Sequence, residues 1–132
     1  MPVEMAYLDS SALVKTVIRE PESVVLRRYL RTFSVHTSSE LAVPEVLRAI
    51  RRSDATATPK AHQALRGIVI LDLTKDILVE AGMLDPPELR TLDAVHVATA
   101  RTLGDELVAV VTYDDRMAAA AARVGLPVAT PA

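Results

Sequence analysis

Four acidic residues of this chain stand where an acid needs a physical reason. Asp9 closes the run Val3-Glu4-Met5-Ala6-Tyr7-Leu8. Asp114 follows Leu107-Val108-Ala109-Val110-Val111-Thr112-Tyr113, so both lie just past expected strands. Asp93 is set in Leu92-Asp93-Ala94-Val95-His96-Val97-Ala98-Thr99-Ala100, a helical stretch apolar almost all round and therefore expected inside the protein. Glu45 interrupts Leu41-Ala42-Val43-Pro44-Glu45-Val46-Leu47. An isolated ionised carboxylate in such surroundings is costly, so each needs a cation, a donor network or a functional cavity. Were the four to converge, their repulsion would raise some of their pKa values unless a cation neutralised them. Oxygen-only ligands select hard ions, Mg²⁺ or Mn²⁺, over zinc. A carboxylate cluster around such an ion suits phosphodiester hydrolysis, because the ion polarises the phosphoryl oxygen and activates water.

Each acid also has a plainer reading. Asp9 and Asp114 suit helix N-caps, a role compatible with metal binding. Asp93 has Arg90 three residues earlier, and Glu45 has Arg48 three residues later, as ion-pair partners.

Elements that position these residues follow from periodicity and punctuation. Strands are expected at Val3–Asp9, Phe33–Thr37, Ile68–Leu73 and Leu107–Thr112, with a last edge strand at Pro127–Ala129. Helices are expected from Ser10 to about Arg19, over Glu22–Arg31, from a Ser38 or Ser39 cap through Glu45 to Arg52, over Ala61–Arg66, and over Lys75–Met83. Asp85-Pro86-Pro87 is a break, Glu88–Leu103 the longest helix, closed by Gly104, and Asp114–Val124 an Ala-rich helix closed by Gly125. In the second helix Val24, Val25, Leu26, Tyr29 and Leu30 are expected inward; they also have the makings of a dimer or partner contact. Strands alternating with helices imply one domain over 1–132, built on a parallel sheet of four to five strands with helices on both faces. In such sheets ligands bind beyond the carboxyl ends of the strands, where Asp9 and Asp114 fall.

Composition removes whole classes of function. The chain has 132 residues, 50% apolar, and no cysteine, which excludes disulfides, zinc–thiolate sites and a cysteine nucleophile and fits a reducing cytoplasm. Apolar runs fall far short of the roughly 20 residues of a membrane span, and the N-terminus lacks a signal-peptide pattern. Aromatics are 3%, against RNA binding by stacked aromatic platforms. Net charge is −2, but 12 of the 15 basic residues are Arg, the side chain suited to bidentate phosphate contacts.

Tyr7-Leu8-Asp9-Ser10-Ser11-Ala12-Leu13-Val14-Lys15 resembles the opening motif of PIN-domain nucleases, in particular the VapC toxins of bacterial toxin–antitoxin pairs. Glu45 ahead of Arg48-Ala49-Ile50-Arg51-Arg52, the stretch Arg90–Ala100 around Asp93, and Val111-Thr112-Tyr113-Asp114-Asp115-Arg116-Met117 are similar to the remaining motifs, in the same order. The resemblance implies a PIN-like three-layer α/β/α fold and an endoribonuclease needing Mg²⁺ or Mn²⁺. Carried over residue by residue, Asp9, Glu45, Asp93 and Asp114 are its catalytic metal ligands, with Asp115 an adjacent alternative to Asp114. Thr112 and Ser10 or Ser11 would support the site through their hydroxyls. It further implies a homodimer, a cognate VapB antitoxin covering the cleft, and an RNA substrate, tRNA or rRNA.

His96 is read as a packed or hydrogen-bonded core histidine, although its i+3 spacing from Asp93 also suits a shared metal. Arg48 and Arg52 share a helical face with Glu45 and are expected to guide RNA phosphates, with antitoxin contact or plain solvation as alternatives. Arg116 is a further phosphate candidate, or the ion-pair partner of Asp115. The chief rival is a catalytically silent RNA-binding or scaffold PIN domain; unmetallated acids repelling RNA argue against it. An aspartyl phosphatase would want a second Asp where the chain has Ser11.

Overall fold

The computed structural model describes residues 3–132. Its elements run β1 (Met5–Leu8), α1 (Ser10–Val17), α2 (Ser23–Leu30), β2 (Val35–Ser39), α3 (Ala42–Ser53), α4 (Thr58–Arg66), β3 (Val69–Leu71), α5 (Lys75–Met83), α6 (Thr91–Arg101), β4 (Leu107–Val111), α7 (Asp115–Arg123) and β5 (Val128–Ala129). The strands form one parallel sheet in the order β3-β2-β1-β4-β5.

Strand alternation divides the core into two layers. Ala6, Leu8, Ala109 and Val111 pack against α1, α2, α3 and α4 through Leu13, Leu26, Val46, Ile50 and Leu65. Tyr7 and Val110 point the other way, onto Val97 and Ala100 of α6 and Met117 and Ala121 of α7. Ile77 and Ala81 of α5 complete that second layer against Ala94, Val95 and Ala98. The register of β4 slips between Leu107 and Ala109, leaving Val108 without a partner on β1. That bulge lets Leu107 and Ala109 face opposite layers although they are two residues apart.

Several boundaries differ from the sequence expectation, each for a local reason. The β-branched run at Ile68–Leu73 makes only a three-residue edge strand. Its ladder ends where Glu40 intervenes: the Glu40 N–H donates to the Leu71 carbonyl, and the Leu73 N–H donates to the Glu40 carboxylate at 2.6 Å. β2 extends to Ser39, so Ser38 and Ser39 are strand residues; Ser39 Oγ accepts from Leu41 N at the start of α3. Pro44 sits in the first turn of α3, where its missing N–H would have had no helical acceptor. The stretch around Asp93 is not the longest helix. α6 begins only at Thr91, after residues 85–90 turn through the two prolines, and its 11 residues are exceeded by the 12 of α3. α4 opens at Thr58–Pro59, three residues ahead of the expected start at Ala61. Gly125 does close α7, at φ +83°, whereas α6 is capped by Thr102 and Gly104, at φ +57°, opens a separate short 3-10 turn.

α2 is rotated relative to the expectation. Leu26 and Leu30 are buried, whereas Val24 is 50% exposed and Val25 36%. Leu26→Ala is therefore expected to cost about 2–5 kcal/mol in urea-unfolding free energy, and Val24→Ala to stay within about 0.5 kcal/mol.

Candidate active site

The four acids arrive from four elements and line one cavity of about 280 Å³ at the C-terminal edge of the sheet. Asp9 follows β1, Asp114 follows β4, Glu45 lies in the first turn of α3 and Asp93 in the first turn of α6. Ser10, Ser11, Arg90 and His96 contribute to the same wall.

Asp9 is the buried acid, 4% exposed, and the most firmly held. Its Oδ1 accepts from Ser11 Oγ at 2.6 Å and from the Ala12 N–H at 3.1 Å, capping α1. Its Oδ2 accepts from Thr112 Oγ1 at 2.5 Å. Burial nevertheless pushes its pKa above the usual carboxylate range, with these bonds and the nearby His96 opposing. Asp114 caps α7: its Oδ1 accepts from the Arg116 and Met117 N–H groups. Capping and cavity lining thus coexist in both residues.

Asp93 differs from the expectation of a deeply buried acid. Residues 94–100 of α6 are buried, but Asp93 is only half-buried, at the open end of the helix. Among the described residues it takes no hydrogen bond and forms no ion pair with Arg90. Its pKa is raised by burial first and then by the charge of Asp114, with Asp9 adding and His96 and Arg90 opposing.

Glu45 has a partner the sequence did not reveal. Instead of pairing with Arg48, its Oε1 lies 2.7 Å from His96 Nε2. His96 is 2% exposed, and its Nδ1 lies 2.7 Å from the Tyr7 hydroxyl. Burial, then the charge of Asp9, raises the Tyr7 pKa, so the phenol keeps its proton. Both ring nitrogens are engaged, Nδ1 with the Tyr7 hydroxyl and Nε2 with the Glu45 carboxylate, which fixes the ring and the carboxylate together. His96 is thus the hydrogen-bonded core histidine of the sequence reading. The tyrosine at its far side has no local signal, because Tyr7 and His96 are 89 residues apart.

Among the supporting residues, Thr112 bonds Asp9 and also accepts from the Asp114 N–H at 3.0 Å. The second hydroxyl is that of Ser11, which donates to Asp9 and accepts from the Tyr113 N–H at 2.9 Å. Ser10 lines the cavity but makes no side-chain hydrogen bond among the described residues. Asp115 is exposed on α7 and outside the cavity, and it forms no ion pair with Arg116. Arg48 and Arg52 line an adjoining cavity of about 580 Å³ that shares Ser10, Ser11 and Glu45 with the acids. Arg116 lines another, of about 550 Å³, which shares Arg90 and Asp93 with them.

The donor set fits a hard divalent cation. It is all oxygen, and Asp93, Oδ2 of Asp114 and Oε2 of Glu45 are free of protein donors among the described residues. No three acidic or histidine side chains there are gathered closely enough to enclose an ion outright. A hard cation such as Mg²⁺ held here would take one or two of the carboxylates directly and complete its shell with water.

The PIN domain family matches residues 6–123. The chain is 50% identical over 125 residues to Ribonuclease VapC46 of Mycobacterium tuberculosis, covering 95% of this chain and 96% of the relative. The chain belongs to the PIN-domain family, in its VapC branch. Its fold is that of VapC20 of Mycobacterium tuberculosis, a sarcin–ricin-loop-cleaving toxin: TM-score 0.73 at 18% identity, over 92% of this chain and 95% of the other. A chain of a toxin–antitoxin complex from Klebsiella pneumoniae superposes equally, with TM-score 0.73 at 22% identity, over 96% and 98%.

Two outcomes follow. Because the folded-state pKa of Asp93 lies above its unfolded value, ionising it destabilises the metal-free fold, and stability falls as pH rises through that pKa. In EDTA, Asp93→Asn should therefore melt above the parent at neutral pH. The gap should close on acidification, and added Mn²⁺ should stabilise the parent more than the variant. Tyr7→Phe leaves His96 Nδ1 buried without its hydrogen-bond partner and should cost about 1–3 kcal/mol in urea unfolding.

Proposed function

We propose that the chain is the toxin of a VapB–VapC pair and an endoribonuclease that uses Mg²⁺ or Mn²⁺ held by Asp9, Glu45, Asp93 and Asp114. The observation that carries this reading is the convergence of four acids, from four separate elements, on one cavity at the strand ends. The ribonuclease naming of its relatives supports the substrate class.

When bound, the cation would polarise a phosphoryl oxygen, lower the pKa of a coordinated water and offset charge on the leaving oxygen. The protein's own part is positional. Ser11, Thr112 and the Ala12 amide hold Asp9 in a single orientation. His96 holds Glu45, and the first turn of α7 holds Asp114. Arg48 and Arg52 on one side and Arg116 on the other are placed to receive phosphates flanking the cleaved bond. Water is the nucleophile in this reading, leaving a 5′-phosphate and a 3′-hydroxyl. Histidine-driven attack by the 2′-hydroxyl is disfavoured, because both ring nitrogens of His96 are engaged. His36 bonds the Leu30 carbonyl, and His62 is exposed on α4; neither lines the cavity.

The assembly belongs to the same proposal: a homodimer whose cleft a VapB antitoxin covers, acting in the cytoplasm on tRNA or rRNA. Likeness to a chain of a toxin–antitoxin complex supports the partner. Exposed Val24 and Val25 on α2, and Leu78, Val79 and Met83 on α5, offer apolar surface for such contacts. Among the described residues no helix is long and apolar enough to cross a membrane.

The test is incubation of antitoxin-free protein with total RNA in Mn²⁺, Mg²⁺ or EDTA, followed by sequencing of new 5′-phosphate ends. Discrete cuts are expected with either metal and none in EDTA. Asp93→Asn should reduce them more than about 100-fold, since even the outer partners of metal ligands are worth 10–100-fold. Cleavage by Asp93→Asn at the parental rate would refute the reading; no metal-dependent cuts by the parent would favour the silent scaffold.

A further inference from the structure

Three cavities adjoin along the C-terminal edge of the sheet, with the acids in the middle one. The two outer ones differ in character. That beside Arg48 and Arg52 mixes Val14, Ala49 and Tyr113 with hydroxyl and charged groups, including Lys15, which is already ion-paired with Glu20 and Glu22. That beside Asp93 has an apolar floor of Leu89, Ala119 and Ala120, with Arg90, Arg116 and Arg123 around it and Glu88 as its one further charged group. All three arginines are exposed, and among the described residues none is in an ion pair. Its volume, about 550 Å³, lies within the range of small-ligand pockets, roughly 300–1,000 Å³. Guanidinium groups around an apolar floor suit a flat apolar body carried on an anionic backbone.

We propose that this cavity is a nucleotide subsite. It takes one unpaired base of a single-stranded RNA, next to the cleaved bond, against Leu89, Ala119 and Ala120. The phosphates on either side of that base meet Arg90, Arg116 and Arg123. A strand lying over the acids has both neighbouring cavities to continue into, since each shares lining residues with the acid cavity. On the Arg48 side it is held by its backbone, and on the Arg123 side by a base as well. The proposal rests on the ribonuclease reading and adds the form of its substrate: RNA unpaired at this step, because a base still in a duplex cannot enter the cavity.

The probes are a fluorescent single-stranded RNA of mixed sequence and a fully abasic ribose-phosphate strand of the same length. Binding is followed by anisotropy in EDTA, so that nothing is cleaved. The parent should bind the intact strand more tightly than the abasic one, because only the intact strand carries a base to cover Leu89, Ala119 and Ala120. Ala119→Phe, which fills the cavity from the exposed side of α7, should bring the ratio of the two affinities near one. Arg123→Ala should weaken both strands alike and lower the salt dependence by about one phosphate contact. A ratio near one in the parent, or an unchanged ratio in Ala119→Phe, overturns the subsite. So does an Ala119→Phe variant that binds RNA normally but no longer holds the co-purifying antitoxin, which would assign the cavity to a protein. Cleavage in Mn²⁺ is scored separately. Cuts without a base preference sink the subsite alone, and a base preference without cuts sinks the ribonuclease alone.

Discussion

Burial of carboxylates around one small cavity, with repulsion between acids added at Asp93, is the constraint on which the rest of this molecule turns. Asp9 receives three hydrogen bonds, and bonds to charged groups are worth about 1.5–3 kcal/mol each. Burial still outweighs them, and its carboxyl stays above the ordinary range. Asp93 is raised as well, by burial and by two neighbouring acids. The fold holds the acids in place but does not neutralise them. A bound divalent cation would supply that missing charge, which is why affinity for metal and acid placement are one design problem.

The parallel sheet solves the placement. β1 and β4 are neighbours, so the residues just after them, Asp9 and Thr112, meet across the strand ends although they are 103 apart in sequence. Helix N-termini beginning at those ends provide amide donors to Asp9 and Asp114, and their partial positive charge favours acids there. α6 is buried from Ala94 to Ala100, which fixes the two side chains that matter: Asp93 at its mouth and His96 one turn inward. Through His96, the first strand supports an acid on α3, because the Tyr7 hydroxyl sets the imidazole that holds Glu45.

Much of this was legible in the residues. Strand-then-acid patterns at Leu8-Asp9 and Thr112–Asp114 gave two of the four positions, and an acid in the apolar stretch around Asp93 gave a third. The alternation of strands and helices gave a parallel sheet. What was not legible depended on contacts between distant residues. Glu45 has Arg48 nearby in sequence, yet the topology gives it His96. Ser10 and Ser11 are indistinguishable as letters, but only Ser11 reaches both Asp9 and the Tyr113 amide. Asp114 and Asp115 differ by which begins the helix: the cap faces the cavity, and the next residue turns to solvent. The β-branched run before Asp72 reads as a full strand, but it lies at the sheet edge, where Glu40 ends its ladder after three residues.

The most direct test of the central claim is the anomalous-scattering map of crystals grown with Mn²⁺. The account expects a peak inside the cavity, with carboxylate oxygens of Asp9 and at least one of Asp93, Asp114 or Glu45 either bound directly or joined through ordered water. It also expects that peak to vanish in Asp93→Asn. Fully occupied Mn²⁺ elsewhere on the chain, with the acid cavity empty at the same concentration, would contradict it.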